Sequence, residues 1–186
     1  MKNPLARYAD YLAEEAKSLE KHEYLRGDVW AMAGGTPEHG RLAMSVGAAL
    51  RDALKGKPCV VYSSDVRIRI QATDRSTYPD LSVVCGKEQR ASDDDEAIIN
   101  PVVIVEVLSP TTERSDRGEK FAHYQRLPSL QEYVLVSQDT ARIEVFHRQG
   151  EAWLLTIHQA GATVDLTALG VRFQVDEVYA DPRMTS

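Results

Sequence analysis

Val102-Val103-Ile104-Val105-Glu106-Val107-Leu108 sets one carboxylate inside an otherwise unbroken apolar run. A short run so rich in β-branched residues reads as a strand buried on both faces. An ionised carboxylate there is costly unless a cation or hydrogen bonds compensate it, so Glu106 needs a partner. That partner is either a lysine or arginine in a structural ion pair, or a divalent metal; a proton-transfer role with a perturbed pKa is the further option.

On the N-terminal side, Tyr78-Pro79-Asp80 opens a second apolar strand, Leu81-Ser82-Val83-Val84-Cys85. If the two strands are neighbours, Asp80 and Glu106 stand side by side near one end of a sheet. Such oxygen-rich geometry suits a hard cation such as Mg2+. The simpler reading of Asp80 is a turn residue after proline. On the C-terminal side, Ser115 or Asp116 opens a helix that Pro128 limits, with Asp116, Lys120 and Tyr124 on one face. Lys120 is placed to reach back over the sheet to Glu106, where an amine can orient or help deprotonate water and stabilise negative charge. Otherwise Asp116 and Lys120 form a surface pair of small energetic value.

Further out, Val60-Val61-Tyr62, Val66 to Ile70, Tyr133 to Val136, Ile143 to His147 and Trp153 to Ile157 read as strands, with a turn at Gly150. Asn3-Pro4 opens a helix with the stripe Leu5, Tyr8, Leu12, Ala16 and Leu19. A tight hairpin is expected around Gly27-Asp28. Gly34-Gly35 breaks the second strand, and Thr36 caps a helix with Pro37 in its first turn and a buried stripe of Leu42, Val46, Ala49, Leu50 and Ala53. Gly86 to Asp95 reads as a surface loop whose acidic run is a solvated face. Helices mixed among many strands predict an α/β (α+β) sheet protein, organised as one domain over 1–186.

The chain has 186 residues, 43% hydrophobic and 27% charged, which excludes wholesale disorder. Its uncharged apolar stretches, such as Ile98 to Val105, fall far short of the ~20 residues that span a bilayer. No apolar leader is visible, so no membrane association and a cytoplasmic location are expected. Cys59 and Cys85 make no metal-binding spacing and are expected as reduced core thiols. The net charge of −6 argues against broad coating of nucleic acid. It leaves room for an enzyme that meets phosphate locally, through a metal ion and a few arginines. Arg67 and Arg69 on one strand face, and Arg114 and Arg117 near the acids, are candidate phosphate contacts; surface solubility is the simpler reading of each.

As a set, Tyr78-Pro79-Asp80, Asn100-Pro101 and Glu106-Val107-Leu108-Ser109-Pro110-Thr111-Thr112-Glu113 resemble the Uma-type family of putative restriction endonucleases, within the PD-(D/E)XK nuclease superfamily. Asp116, Gly118, Lys120-Phe121, Tyr124 and Ser129 to Tyr133 agree, as do His22-Glu23-Tyr24, Gly27, Ala31 to Gly35 and His39. The similarity runs from about Tyr11 to Tyr179. It implies a restriction-endonuclease-like mixed β-sheet flanked by helices, with Asp80 and Glu106 as ligands for Mg2+ or Mn2+ and the Val107 backbone carbonyl as the third ligand. One position departs from the superfamily pattern: Leu108 stands two after Glu106, where the lysine would be, and Lys120 is the expected substitute.

Glu23 resembles an early acidic residue that assists metal binding in related nucleases, and is otherwise an exposed charge at a strand start. His39 is either a site residue or a helix-start residue, and Asp116 and Tyr124 are accessory candidates. The implied activity is hydrolysis of DNA phosphodiester bonds, by analogy in a homodimer. A non-catalytic nucleic-acid or protein interaction module on the nuclease scaffold, motivated by the acidic balance and the missing lysine, stays open. So does a nuclease acting on RNA.

Overall fold

The computed structural model describes residues 6–32 and 34–184. From the N-terminus the chain forms α1 (Tyr8–Glu15), the hairpin β1 (His22–Leu25) and β2 (Asp28–Ala31), and then α2 (Pro37–Ala53). Next come β3 (Cys59–Ser63), β4 (Ile68–Ile70), β5 (Arg75–Thr77), β6 (Leu81–Cys85), β7 (Arg90–Ala91), β8 (Asp94–Ile98) and β9 (Val103–Val107). Two short helices, α3 (Glu113–Arg117) and α4 (Glu119–Tyr124), lead into β10 (Glu132–Val136), β11 (Arg142–Gln149) and β12 (Ala152–Gln159). The pair β13 (Thr163–Leu166) and β14 (Val171–Gln174) and the helix α5 (Val175–Tyr179) follow.

Two mixed six-stranded sheets result, ordered β12-β11-β10-β9-β6-β3 and β2-β1-β5-β4-β8-β7. The first holds the apolar run at its centre, with β9 parallel to β10 and antiparallel to β6. Alternation along β9 explains its unbroken hydrophobicity. Val103, Val105 and Val107 pack with Leu42, Val46 and Leu50 of α2, whereas Ile104 and Leu108 join Phe121, Tyr124 and Tyr133 in a second core. Both faces are covered, and Glu106 lies on the second one. Thr36 caps α2, its hydroxyl accepting from the His39 N–H at 3.1 Å. Among the described residues no helix is long and apolar enough to cross a membrane.

Several expectations need correction. Asn3, Pro4 and Leu5 lie outside the described residues. α1 stops at Glu15, so Ala16 and Leu19 are exposed, and its buried residue is Tyr11, packed against the Tyr24 ring. The hairpin turns at Arg26-Gly27, one position earlier than expected, because both residues have positive φ (50° and 95°), the mirror-image turn that suits strand twist. The helix expected from Ser115 to Pro128 is broken at Gly118 (φ −117°, ψ −97°).

Cys59 and Cys85 are not reduced thiols. They face each other in the β3–β6 register, with Cα atoms 4.0 Å apart, and form a disulfide. The closed loop, with a sequence separation of 26, removes chain entropy equivalent to about 3.5 kcal/mol.

Most of Gly86 to Asp95 is exposed, as expected of a surface loop, but its acidic run is not all solvated, since Asp94 is buried, and Arg67 and Arg69 are not surface residues. Arg67 clamps Asp94 with two bonds of 3.0 Å, and Tyr8 donates its hydroxyl to the same carboxylate at 2.8 Å. Arg69 pairs with Asp93 at 2.9 Å and with Asp74 at 2.8 Å. Alternation showed that the two arginines share a face; it did not show that chain from elsewhere covers that face. Asp94→Ala leaves the Arg67 guanidinium buried without its main partner, at an expected cost of about 3–5 kcal/mol in urea denaturation. Burial pushes the Asp94 carboxyl up, but Arg67 and Tyr8 outweigh it and hold it below its ordinary value. Its stabilisation is therefore complete above the unfolded value of 3.8 and disappears as pH falls through the lower folded value.

Candidate functional site

The β6–β9 ladder pairs Leu81 with Val105, so Asp80, one residue before β6, stands opposite Glu106. The Val107 N–H donates to Asp80 Oδ2 at 2.7 Å, locking that carboxylate to the end of β9. The two acids, distant in the chain, thus meet at one sheet end.

Lys120 completes the cluster. Phe121 stacks on Tyr133 with ring centres 4.7 Å apart, which seats α4 over the sheet and turns Lys120 inward. Its Nζ lies 2.8 Å from Glu106 Oε1, 3.5 Å from Asp116 Oδ1 and 3.8 Å from Glu23 Oε1. The Tyr124 hydroxyl donates to Glu106 Oε1 at 2.8 Å. Leu108, on the same strand face as Glu106, is buried in the second core, so the amine arrives from the helix instead.

Glu23 is buried, not an exposed strand-start charge. It accepts from Arg75 Nη2 at 2.9 Å and from the Thr77 hydroxyl at 2.5 Å, tying the second sheet to the cluster. Sequence reading missed Arg75 and Thr77, because no local signal in Arg75-Ser76-Thr77 places this strand beside β1. His39 Nε2 stands 3.2 Å from Asp80 Oδ2. A Cβ on Gly35 would fall 2.9 Å from His39 Nδ1, so the glycine leaves room for the ring.

Charge in this cluster is unbalanced. Burial pushes the Glu106 carboxyl up to about 8; Lys120 opposes that, while Asp116 and Asp80 add to it. Burial likewise raises Asp116. For Lys120, burial favours the neutral amine, but Glu106, Glu23 and Asp116 outweigh it and hold the ammonium well above its ordinary value. The hydrogen bond to Asp80 raises His39 against the effect of burial, with the Val107 backbone adding to the rise. A buried Glu106 that resists ionising even beside an ammonium marks a place where further positive charge is favourable.

Contacts to the two acids fall on Asp80 Oδ2 and Glu106 Oε1, leaving Oδ1 and Oε2 outside them. Among the described residues no group of three or more His, Cys, Asp or Glu side chains stands in cation-holding geometry. A pair of carboxylates with a backbone carbonyl is nonetheless a donor set that Mg2+ accepts, since this ion keeps several of its waters.

The arginines divide. Arg67 and Arg69 belong to the second sheet's ion pairs, and Arg117 pairs with Glu113 at 2.7 Å and Glu144 at 2.6 Å. Arg114 is exposed.

Comparison with known proteins agrees with this architecture. The Uma2 family, described as putative restriction endonuclease, matches residues 8–176. The uncharacterized protein slr1290 of Synechocystis sp. is 38% identical over 171 residues, covering 91% of this chain and 89% of that one. The uncharacterized protein sll1609 of the same organism is 32% identical over 149 residues, 80% and 84% of the two chains. In fold, the chain is similar to the crystal structure of a putative nuclease belonging to DUF820 from Anabaena variabilis. That likeness has a TM-score of 0.72 at 18% identity and covers 90% of this chain and 96% of that one. The match to the family spans most of the chain, and the protein belongs to the Uma2 family of putative restriction endonucleases, and so to a nuclease family.

Proposed function

We propose that the protein is a metal-dependent endonuclease hydrolysing DNA phosphodiester bonds, with Asp80, Glu106 and the Val107 carbonyl holding Mg2+ or Mn2+. The observation that carries this reading is the convergence of Asp80 and Glu106 at one sheet end with the Lys120 ammonium 2.8 Å from Glu106. The bound cation would supply a polarised phosphoryl oxygen and a more acidic water.

The chain's own residues do the rest. Lys120, held as an ammonium, acts as a hydrogen-bond donor that orients water and offsets charge on the phosphorane-like transition state, and not as a base. Tyr124 pins Glu106 Oε1 and turns Oε2 free, and His39 with the Val107 N–H fixes Asp80. Asp116 and Glu23 hold Lys120 from its other sides. Water attacking in line on phosphorus breaks the bond to the 3′ oxygen and leaves a 5′-phosphate, the polarity that the superfamily resemblance implies. The reading extends to one catalytic domain over 1–186, a cytoplasmic location and a homodimer.

The test is incubation of plasmid and single-stranded DNA with Mg2+ or Mn2+, beside isothermal titration with Mn2+. Cleavage that needs the cation, and a heat of binding lost in Asp80→Ala, are the expected results. A protein that takes up no divalent ion, with or without DNA, is a non-catalytic interaction module instead. Cutting confined to RNA moves the substrate.

A further inference from the structure

Glu23 and Trp30 are direct cross-strand partners in the β1–β2 hairpin, so their side chains leave the same face. Glu23 turns in toward Arg75 and Lys120. Trp30 therefore stands on the Lys120 side of the hairpin, its ring centre 5.8 Å from the Arg75 guanidinium. The indole is 39% exposed, on an edge strand whose residues are all exposed. The other tryptophan, Trp153, shows the contrast: it packs edge-on against Phe121 at 5.2 Å and under Arg148 at 4.6 Å. Trp30 has no aromatic neighbour of this kind among the described residues.

Arg75 supplies the second observation. It is almost fully buried, yet beyond its bond to Glu23 its donors are poorly used. Nη1 stands 4.0 Å from Glu119, too far for a hydrogen bond, and Nε has no partner among the described residues. The guanidinium stands within cation–π range of the exposed indole and holds it beside the cluster, with the exposed part of the ring open to another flat ring.

The charges point the same way. Arg67, Arg69 and Arg117 are engaged by carboxylates, and the net charge is −6. A duplex held by many phosphate contacts needs a cationic groove. A single strand adds to its phosphate contacts the stacking of its bases on aromatic faces, regardless of sequence, which a duplex does not offer.

Resting on the nuclease reading above, we propose that Trp30 is a nucleobase-stacking platform beside the acid–lysine cluster, and that the substrate it takes is single-stranded DNA. A paired base has no free face to offer, so the platform selects an unstacked nucleotide next to the scissile phosphate.

The test uses the full chain with Trp153→Phe, which leaves Trp30 as the only indole. Titration with a single-stranded oligodeoxythymidylate in EDTA is expected to quench Trp30 fluorescence, and the matching duplex to quench it far less. In Mn2+, Trp30→Ala is expected to raise KM for the single strand about tenfold or more with kcat little changed, and Trp30→Phe to restore most of it. Melting curves check that the variants fold. Cleavage with an unchanged KM in Trp30→Ala and no quenching overturns the platform while the nuclease reading stands. Equal quenching and equal kcat/KM on duplex overturn the single-strand assignment. If the wild type cuts no nucleic acid, the nuclease reading falls, and the quenching titration still decides whether Trp30 binds bases.

Discussion

Glu106→Gln is expected to lower cation-dependent cleavage on the order of a thousandfold or more while leaving the protein folded. The substitution keeps the shape of the side chain and an oxygen for the Tyr124 hydroxyl, but removes one of two carboxylate charges facing the proposed cation. Asp80→Asn should match it, since the Val107 N–H at 2.7 Å still finds an oxygen there. Glu106→Gln should lose little stability, although it weakens the contact to Lys120. Glu106 is buried, and burial with Asp116 and Asp80 nearby already disfavours its ionised form, so neutralising it relieves repulsion. The measurement is the rate of cleavage of single-stranded DNA, beside plasmid nicking, across a Mn2+ titration, with a thermal melt on the same samples. Wild-type rates in both variants would sink the assignment of the two acids.

Lys120→Met should act on stability as much as on activity. The ammonium stands 2.8, 3.5 and 3.8 Å from Glu106, Asp116 and Glu23, and its loss leaves buried carboxylates facing one another. Breaking a buried pair in this way costs about 3–5 kcal/mol. The sign of the pH dependence follows from the directions of the shifts. Glu106 has a folded value of about 8 against 4.5 when unfolded, so its penalty grows as pH rises between those values. Lys120, raised above 10.5, contributes stability that is complete below that value and is lost only as pH rises through the higher folded one. Without Lys120 the carboxylates move further up, so the variant should be weakest near pH 8 and recover toward pH 5. Urea denaturation at the two pH values measures this, and adding Glu106→Gln should return part of the loss. Equal stability of Lys120→Met and wild type at pH 8 contradicts the ion-pair geometry. Cleavage should fall about a hundredfold or more in the same variant.

The core of the cluster was legible before any coordinates. Glu106 announced itself because a charge in a doubly buried strand must be compensated, and Asp80 because it opens another apolar strand. Lys120 followed from helical spacing, and the helix broke at Gly118 without displacing it. Arg75 was not legible, because nothing local says that β5 lies beside β1 and carries its guanidinium to Glu23. Arg67 and Arg69 were misjudged for a related reason. Strict alternation reads the same whether the second face meets water or a neighbouring acidic segment, and only packing tells the two apart.

What the residues determined unaided is everything that depends on near neighbours: the Thr36 cap, the apolar strands, the buried acid and the spacing that carries Lys120. What the tertiary structure alone decided is which distant groups meet. The Cys59–Cys85 bond, the Arg67–Asp94 clamp and the stance of Trp30 over Arg75 all depend on strand register. The physical reason is one of range. Backbone preference and hydrophobic alternation act over a few residues, whereas an ion pair or a cross-strand contact exists only once the whole core has set two remote segments a few ångströms apart.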